Sequence, residues 1–274
     1  MKFSRWLILI VVFLLSLGLL GITAYNSIPD VKALRGCLKT RMHSYYLCPT
    51  SPNYVVIDAV SSYVINAIIV SEDGTFYDHN GFDWFEIKGS IEKNLSELDY
   101  ARGGSTITQQ LAKNVFLSGE KSLLRKVREA ILTVQIEKKF SKRQILEKYL
   151  NVIEFGPNIF GVKAAANHYF NKSPIELDIL EASFLAFLLP NPKRYRESFV
   201  LKNLTPFARK SLARIVSRLA KYKKISDEEK VAALERLGGS QWVNDPVIYE
   251  ENIPEPPDEL PQDGTENVEE ESES

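Results

Sequence analysis

Cysteine is almost missing from this chain, with only Cys37 and Cys48 in 274 residues. That excludes a disulfide-rich scaffold and a four-cysteine zinc site. The three histidines, His43, His79 and His168, show no ligand-type spacing, so no metal site is expected from them. No G-x-x-x-x-G-K occurs, which removes a nucleotide P-loop. Fourteen glycines and 13 prolines are too few for a collagen-like or wholly disordered chain. Alternating apolar–polar runs are scarce and no internal repeat is visible, so little sheet is expected. Net charge is scarce too, at −1, but the balance hides a segregation. Residues 245–274 carry twelve acidic residues and no Lys or Arg, leaving +11 on the remainder. A basic body favours an anionic partner, and charge alone does not choose among phosphate, lipid head group and nucleic acid.

The chain does have one long apolar run, Trp6 to Tyr25, of 20 uncharged residues. At ~1.5 Å per helical residue it covers roughly 30 Å of hydrocarbon. A cleaved signal peptide has a shorter apolar core, about 7–15 residues, and an Ala-x-Ala-like site. Here the run is longer and only a weak site surrounds Ala24, so a retained transmembrane anchor over 6–25 is expected. Lys2 and Arg5 precede it, which keeps residues 1–5 cytoplasmic and places the residues after the anchor on the periplasmic or outer side of the inner membrane. An exported compartment permits a Cys37–Cys48 disulfide, and two unpaired thiols stand as the equal alternative. Residues 26–53, punctuated by Pro29, Gly36, Pro49 and Pro52, read as a juxtamembrane linker. From 54 to about 240 the pattern is helical, with segments near 63–73, 106–116, 122–140, 141–153, 162–170, 176–189, 205–223 and 226–237. Ser105 and Ser141 are the expected N-caps of the second and fourth of these. The acidic, Pro-rich 245–274 is expected to be disordered.

Three stretches could carry chemistry. In SEDGTFYDHNGFDW, Glu72 closes an apolar helix. Its carboxylate then emerges at a core rim, where partial desolvation suits a general base. A helix-ending acidic loop is the plainer explanation. RGGSTITQQLAKN puts Ser105 and Thr106 before a helix whose first turns hold Gln109, Gln110 and Lys113. Backbone N–H groups at such an N-terminus can hold an anion. In SLLRKVREAILTVQIEKKF, Leu123, Leu124, Val127, Ala130, Ile131 and Val134 form one stripe. Glu129 falls opposite it with Arg125 four residues before, which reads as a solvated ion pair.

Taken together these segments resemble glycosyltransferase family 51, the peptidoglycan glycosyltransferases. The first motif of that family appears as Glu72-Asp73-x-x-Phe76-x-x-His79-x-Gly81. The second runs from Gly103 through Gln109-Gln110 to Lys113-Asn114, and the third is Arg125-Lys126-x-x-Glu129. The fourth spans Glu147-x-Tyr149-Leu150-Asn151 to Phe155-Gly156, Gly161 and Ala164-Ala165-Ala166, and the fifth runs from Glu181-Ala182-Ser183 to Pro190-Asn191-Pro192. Five ordered motifs over about 55–200 make the match specific. The Glu154-Phe155-Gly156 variant and the single-domain length are similar to the monofunctional biosynthetic branch. Two positions depart: Lys88-Gly89 stands where the family often has Arg-Ala, and Lys121 where an Arg is common, and Lys meets phosphate as a point charge rather than a fork. Ser90-x-x-Lys93 lacks the Lys-Thr-Gly and Ser-x-Asn partners of a penicillin-binding domain.

The resemblance implies a mainly α, lysozyme-like helical domain preceded by one transmembrane helix. It carries a small mobile membrane-facing lobe, to which Phe82, Trp84, Phe85, Ile87, Ile91, Leu95, Leu98 and Tyr100 would belong. It implies polymerisation of a lipid-linked disaccharide–peptide into β-1,4 glycan chains, with Glu72 as base and loss of undecaprenyl pyrophosphate. Ser105, Thr106, Gln109, Gln110, Lys113, Lys121, Arg125 and Lys126 become substrate-binding candidates. Glu129 is a second catalytic candidate that organises the cations. Mg or Mn at the pyrophosphate is the one optional cofactor. The implied partners are the precursor, the growing glycan, membrane lipid and other cell-wall synthesis proteins, with no nucleic acid. A lysozyme-like hydrolase or lytic enzyme and an inactive membrane-anchored scaffold are the rival readings.

Overall fold

The computed structural model describes residues 2–26, 28–86, 88, 104–120, 122–201 and 203–239. The chain divides into two units, 1–244 and 245–274. The second, where the disordered tail is expected, lies outside the described residues, as do Lys121 and most of the expected membrane-facing lobe.

Residues Lys2–Asn26 form α1, and its side chains from Trp6 to Leu15 are exposed. Among the described residues no helix is long and apolar enough to cross a membrane. Positions 17, 20 and 22–25 of the expected span lie outside the described side chains.

The remaining helices include one for each of the eight segments expected after the anchor, along with two short ones that were not expected. They are α2 (Ser62–Glu72), α3 (Ile107–Phe116), α4 (Leu123–Lys139), α5 (Lys142–Val152), α6 (Val162–Phe170), α7 (Ile179–Leu188), the short α8 (Pro192–Tyr195) and α9 (Glu197–Val200), α10 (Pro206–Lys221) and α11 (Asp227–Gly238). Most begin at a side-chain cap: Ser61, Ser122, Ser141, Asp178, Thr205 and Ser226 each accept from a first-turn amide. One cap moves. Thr106, not Ser105, caps α3, in a reciprocal box with Gln109. Among the described residues, sheet is confined to two antiparallel pairs, β1 (Leu38–Lys39) with β2 (Tyr46–Leu47) and β3 (Glu154–Gly156) with β4 (Ile159–Phe160).

Two helix groups build the core. The nearly all-apolar α7 packs along α2, with α10 against both; α3 packs on α4 and α5. Phe76, Ile107, Leu111, Leu132, Ile136, Ile145, Phe155 and Phe184 are fully buried between these elements. Each such side chain contributes about 1.5–3 kcal/mol of hydrophobic stabilisation. The consequence for function is placement: the C-terminus of α2, bearing Glu72, is brought against the N-terminal half of α3.

Residues 28–53 are not the linker expected from their prolines. Val31, Leu34 and Leu47 are core members, and Lys139 pairs with Asp30 at 3.2 Å. Cys37 and Cys48 are joined in a disulfide, resolving the even choice left by the sequence. A loop of this size contributes about 3 kcal/mol in the chain-entropy treatment. The turn signals mark a folded clip, and its few apolar residues dock singly rather than as a periodic face.

Gly81 shows how tightly the first-motif loop is set on α4. Its φ is +93°, and a Cβ there would lie 2.7 Å from Thr133 Cγ2. Gly81→Ala should therefore cost more than about 2 kcal/mol through combined backbone strain and overlap. The check is a denaturant or thermal melt; an unchanged midpoint would contradict this packing.

Candidate active site

Glu72 is the last residue of α2, and the site is assembled by the loop that comes after it. Asp73, 6% exposed, accepts Ile107 N–H at 2.9 Å and His79 Nε2 at 2.8 Å. Gly81 N–H points at His79 Nδ1 at 3.1 Å, which makes Nδ1 the acceptor and leaves the proton on Nε2. Thr106 Oγ1 donates to Gly81 O at 2.7 Å and accepts Gln109 N–H. Asp, His and Gly of the first motif thus hold the start of α3 in place.

This corrects the expectation of an anion site at the α3 N-terminus. The anion there is Asp73 itself, and Thr106 N–H is taken by Gln109 Oε1 at 3.0 Å. The Thr106 hydroxyl is buried and committed, so Thr106 belongs to the scaffold rather than to a ligand-binding surface.

The two adjacent glutamines are oriented apart. Tyr149, fully buried, donates its hydroxyl to Gln110 Oε1 at 3.1 Å. Gln110 must then turn its NH₂ outward, and it donates to Glu72 Oε2 at 2.8 Å. Burial, and then the charges of Glu72 and Asp73, push the Tyr149 phenol well above its usual range, so it remains a donor. Gln109 spends its carbonyl oxygen on Thr106, which aims its NH₂ at Glu129 Oε1, 3.5 Å away at the limit of a hydrogen bond. One helix therefore presents an amide donor to each of two glutamates.

Glu129 overturns the solvated-pair expectation. It is 2% exposed and is gripped by Arg125 Nη1 at 3.2 Å and by Lys126 Nζ. Lys126 also reaches Ser105 Oγ at 3.4 Å. The buried stripe of α4 is Glu129, Leu132, Thr133 and Ile136, whereas Leu123 (89%), Leu124, Val127 and Val134 of the expected apolar stripe are exposed. The α4 sequence offers two faces at helical spacing. Packing on α3 selects the one containing two polar side chains, because both are satisfied there: Thr133 Oγ1 donates to Glu129 O at 2.8 Å.

Lys113 lies between the two glutamates electrostatically, feeling Glu129 and Glu72 as well as Arg125 and Lys126. Burial is the largest influence and lowers its pKa below the usual 10.5. No ion pair or hydrogen bond holds its Nζ among the described residues. Its charge is thus a cost to the folded protein that an anionic ligand would relieve.

The fourth and fifth motifs prove to be scaffold. Glu147 accepts Tyr54 OH at 2.5 Å and Ile57 N–H at 3.0 Å. Asn151 exchanges two 2.8 Å bonds with the backbone of Val55. Glu181 closes a capping box with Asp178, and Asn191 caps α8. Sequence reasoning missed Tyr149 as an orienting group. The available signal was a tyrosine on the core-facing stripe of α5, whose hydroxyl must find a partner.

Among the described residues no group of three or more His, Cys, Asp or Glu could hold a metal ion. Both Glu129 oxygens and Glu72 Oε2 are already engaged. Among the described residues these donors do not form a divalent-ion cage.

The profile of the transglycosylase family matches residues 41–219, which takes in every motif just described. The chain belongs to that family. It is 48% identical over 163 residues to a biosynthetic peptidoglycan transglycosylase of Aromatoleum aromaticum, covering 60% of this chain and 70% of that protein. It is 48% identical over 141 residues to one of Acinetobacter baylyi, covering 52% and 63%. It is 45% identical over 169 residues to one of Chromobacterium violaceum, covering 62% and 72%.

The geometry of this transglycosylase site can be tested at Lys113 and at Tyr149. Lys113→Met should abolish most turnover yet raise the melting temperature, by roughly 2–4 °C for each kcal/mol relieved. Between the depressed pKa of Lys113 and 10.5 the unfolded chain holds a proton that the folded one has released. Stability therefore rises with pH through that window, and the rise should shrink in the variant. A lowered melting temperature would show that Lys113 is structural. Tyr149→Phe frees the Gln110 amide to rotate and should slow turnover about tenfold with a stability loss near 1–1.5 kcal/mol. Wild-type turnover would show that Gln110 needs no orienting partner.

Proposed function

We propose that this transglycosylase is a peptidoglycan glycosyltransferase of cell-wall synthesis, polymerising a lipid-linked disaccharide–peptide precursor with release of a lipid pyrophosphate. The observation that carries the reading is the division of the site by α3. A carboxylate, Glu72, stands on one side, Arg125 and Lys126 gather with Glu129 on the other, and Lys113 lies between, within the field of both glutamates. An attacking sugar hydroxyl needs a base as its bond to the donor C1 forms, and Glu72 is that base. The departing pyrophosphate gains charge, and the three cations offset it. Glu129 fixes the cations; its oxygens are spent on them and do not reach for a proton. Holding two tethered substrates in line across this divide supplies much of the remaining rate. The cation side argues against the glycan-cleaving alternative, because a glycan being cleaved has no pyrophosphate to receive.

Membrane attachment belongs to the same proposal. The 20-residue apolar run, the basic residues before it, and the Cys37–Cys48 disulfide suit a chain anchored in the inner membrane with its domain outside. Exposed Trp84 (72%) and Phe85 (85%), at the start of the expected membrane-facing lobe, favour contact with lipid.

Incubation with labelled lipid-linked precursor, read on gels for lengthening glycan chains, tests the activity. Glu72→Gln should lower turnover roughly 10²–10⁴-fold with folding intact, the usual scale for loss of a general base. Glu129→Gln should also damage turnover, by releasing Arg125 and Lys126. If Glu72→Gln polymerised at wild-type speed, the base would lie elsewhere.

A further inference from the structure

The disulfide-closed clip at residues 37–48 touches the active-site helix at its far end. The last carbonyls of an α-helix have no partner within the helix. In α3 two of these orphans are taken from outside: Arg41 N–H donates to Val115 O at 2.9 Å and Met42 N–H to Asn114 O at 3.3 Å. Both carbonyls belong to the turn that bears Lys113. The clip is set by its own bonds, Thr40 N–H to Tyr45 O at 2.7 Å and Tyr45 N–H to Thr40 Oγ1 at 3.0 Å. Its other side leans on the β3–β4 hairpin, with the rings of His43 and Tyr45 about 5 Å from that of Phe160. Cys37 and Cys48 close its base, just outside the β1–β2 pair.

We infer that the Cys37–Cys48 clip is a positioning element of the active site: by capping the C-terminal turn of α3 it fixes where Lys113 stands. The role of Lys113 toward the leaving pyrophosphate is taken from the proposed function; the capping is independent of it. α3 is pinned at its start by Asp73 and at its end by the clip. A half-buried cation with no partner among the described residues keeps its place only if the backbone beneath it is held. Misplacing a group by ~1 Å can cost up to about 100-fold in rate. The clip reaches α3 through backbone amides, so its side chains need have no contact with substrate.

The test uses the full chain in detergent. Dithiothreitol, a dithiol, breaks the S–S bond; its two thiols give up two electrons and two protons, leaving two protein thiols and the cyclic disulfide of the reagent. Reduced protein and Cys37→Ser/Cys48→Ser are compared with the oxidised form by amide hydrogen exchange and precursor turnover. Exchange at Arg41, Met42 and the last turn of α3 should quicken at least about tenfold, while α7 is unchanged. Turnover should fall about tenfold, and dithiothreitol should not slow the double-serine variant further. Lys113→Ala should cost much less in the reduced background than in the oxidised one, a coupling that a general loss of stability would not produce. Additive losses, or unchanged exchange at Arg41 and Met42, would overturn the inference. Should the serine variant fail to fold, the reduced wild type decides alone. If the oxidised wild type shows no turnover on the precursor, the proposed activity fails and the exchange result still judges the clip.

Discussion

A single buried carboxylate, Asp73, sets the arrangement on which the rest of the site depends. It joins the end of α2 to the first amide of α3 and receives the imidazole of His79 from the loop between. A carboxylate at a helix N-terminus is favoured both by the free amides and by the helix dipole. Buried at 6% exposure, it would be costly unless paired, and its two oxygens are. The neighbouring Glu72 is thereby delivered to the side of α3 at a fixed height, opposite Gln110.

From that junction the chemistry divides. Two consecutive glutamines, about 100° apart around the helix axis, serve two different carboxylates. Each is oriented by what its carbonyl accepts, Tyr149 hydroxyl for Gln110 and Thr106 amide for Gln109. Glu72 keeps a half-buried carboxylate, steadied by a neutral amide and suited to taking a proton. Glu129 is sealed under two cations, which in the proposed reading assigns it to electrostatics instead. Lys113 sits within the field of both, and its burial is the folded protein's standing cost for a site ready to receive an anion.

The α-helical architecture was legible because its signals agree. Of the two expected caps, Ser141 holds and Ser105 gives way to its neighbour Thr106, and the eight expected helices after the anchor start and stop within three residues of those observed. The ordered motifs gave Glu72, Gln110, Lys113, Arg125 and Lys126 their neighbourhood. Three things were hidden. The buried face of α4 contains Glu129 and Thr133, so apolar counting chose the other face. Residues 28–53 dock through isolated side chains, Val31, Leu34 and Leu47, which leave no periodic trace. The bond from Ile107 N–H to Asp73 spans 34 positions, and no spacing rule reveals that a helix start is capped by a carboxylate from another motif.

Asp73 registers the two halves of the site through His79 and the Ile107 amide, and Asp73→Asn probes that role directly. The amide keeps the shape, can still accept one bond, and loses the charge. Precursor turnover and hydrogen exchange at Ile107 should be measured together. Exchange at Ile107 should quicken and turnover should fall at least about tenfold in the variant, with α2 and α7 still protected. Wild-type turnover despite a freed Ile107 amide would contradict the registering role of Asp73.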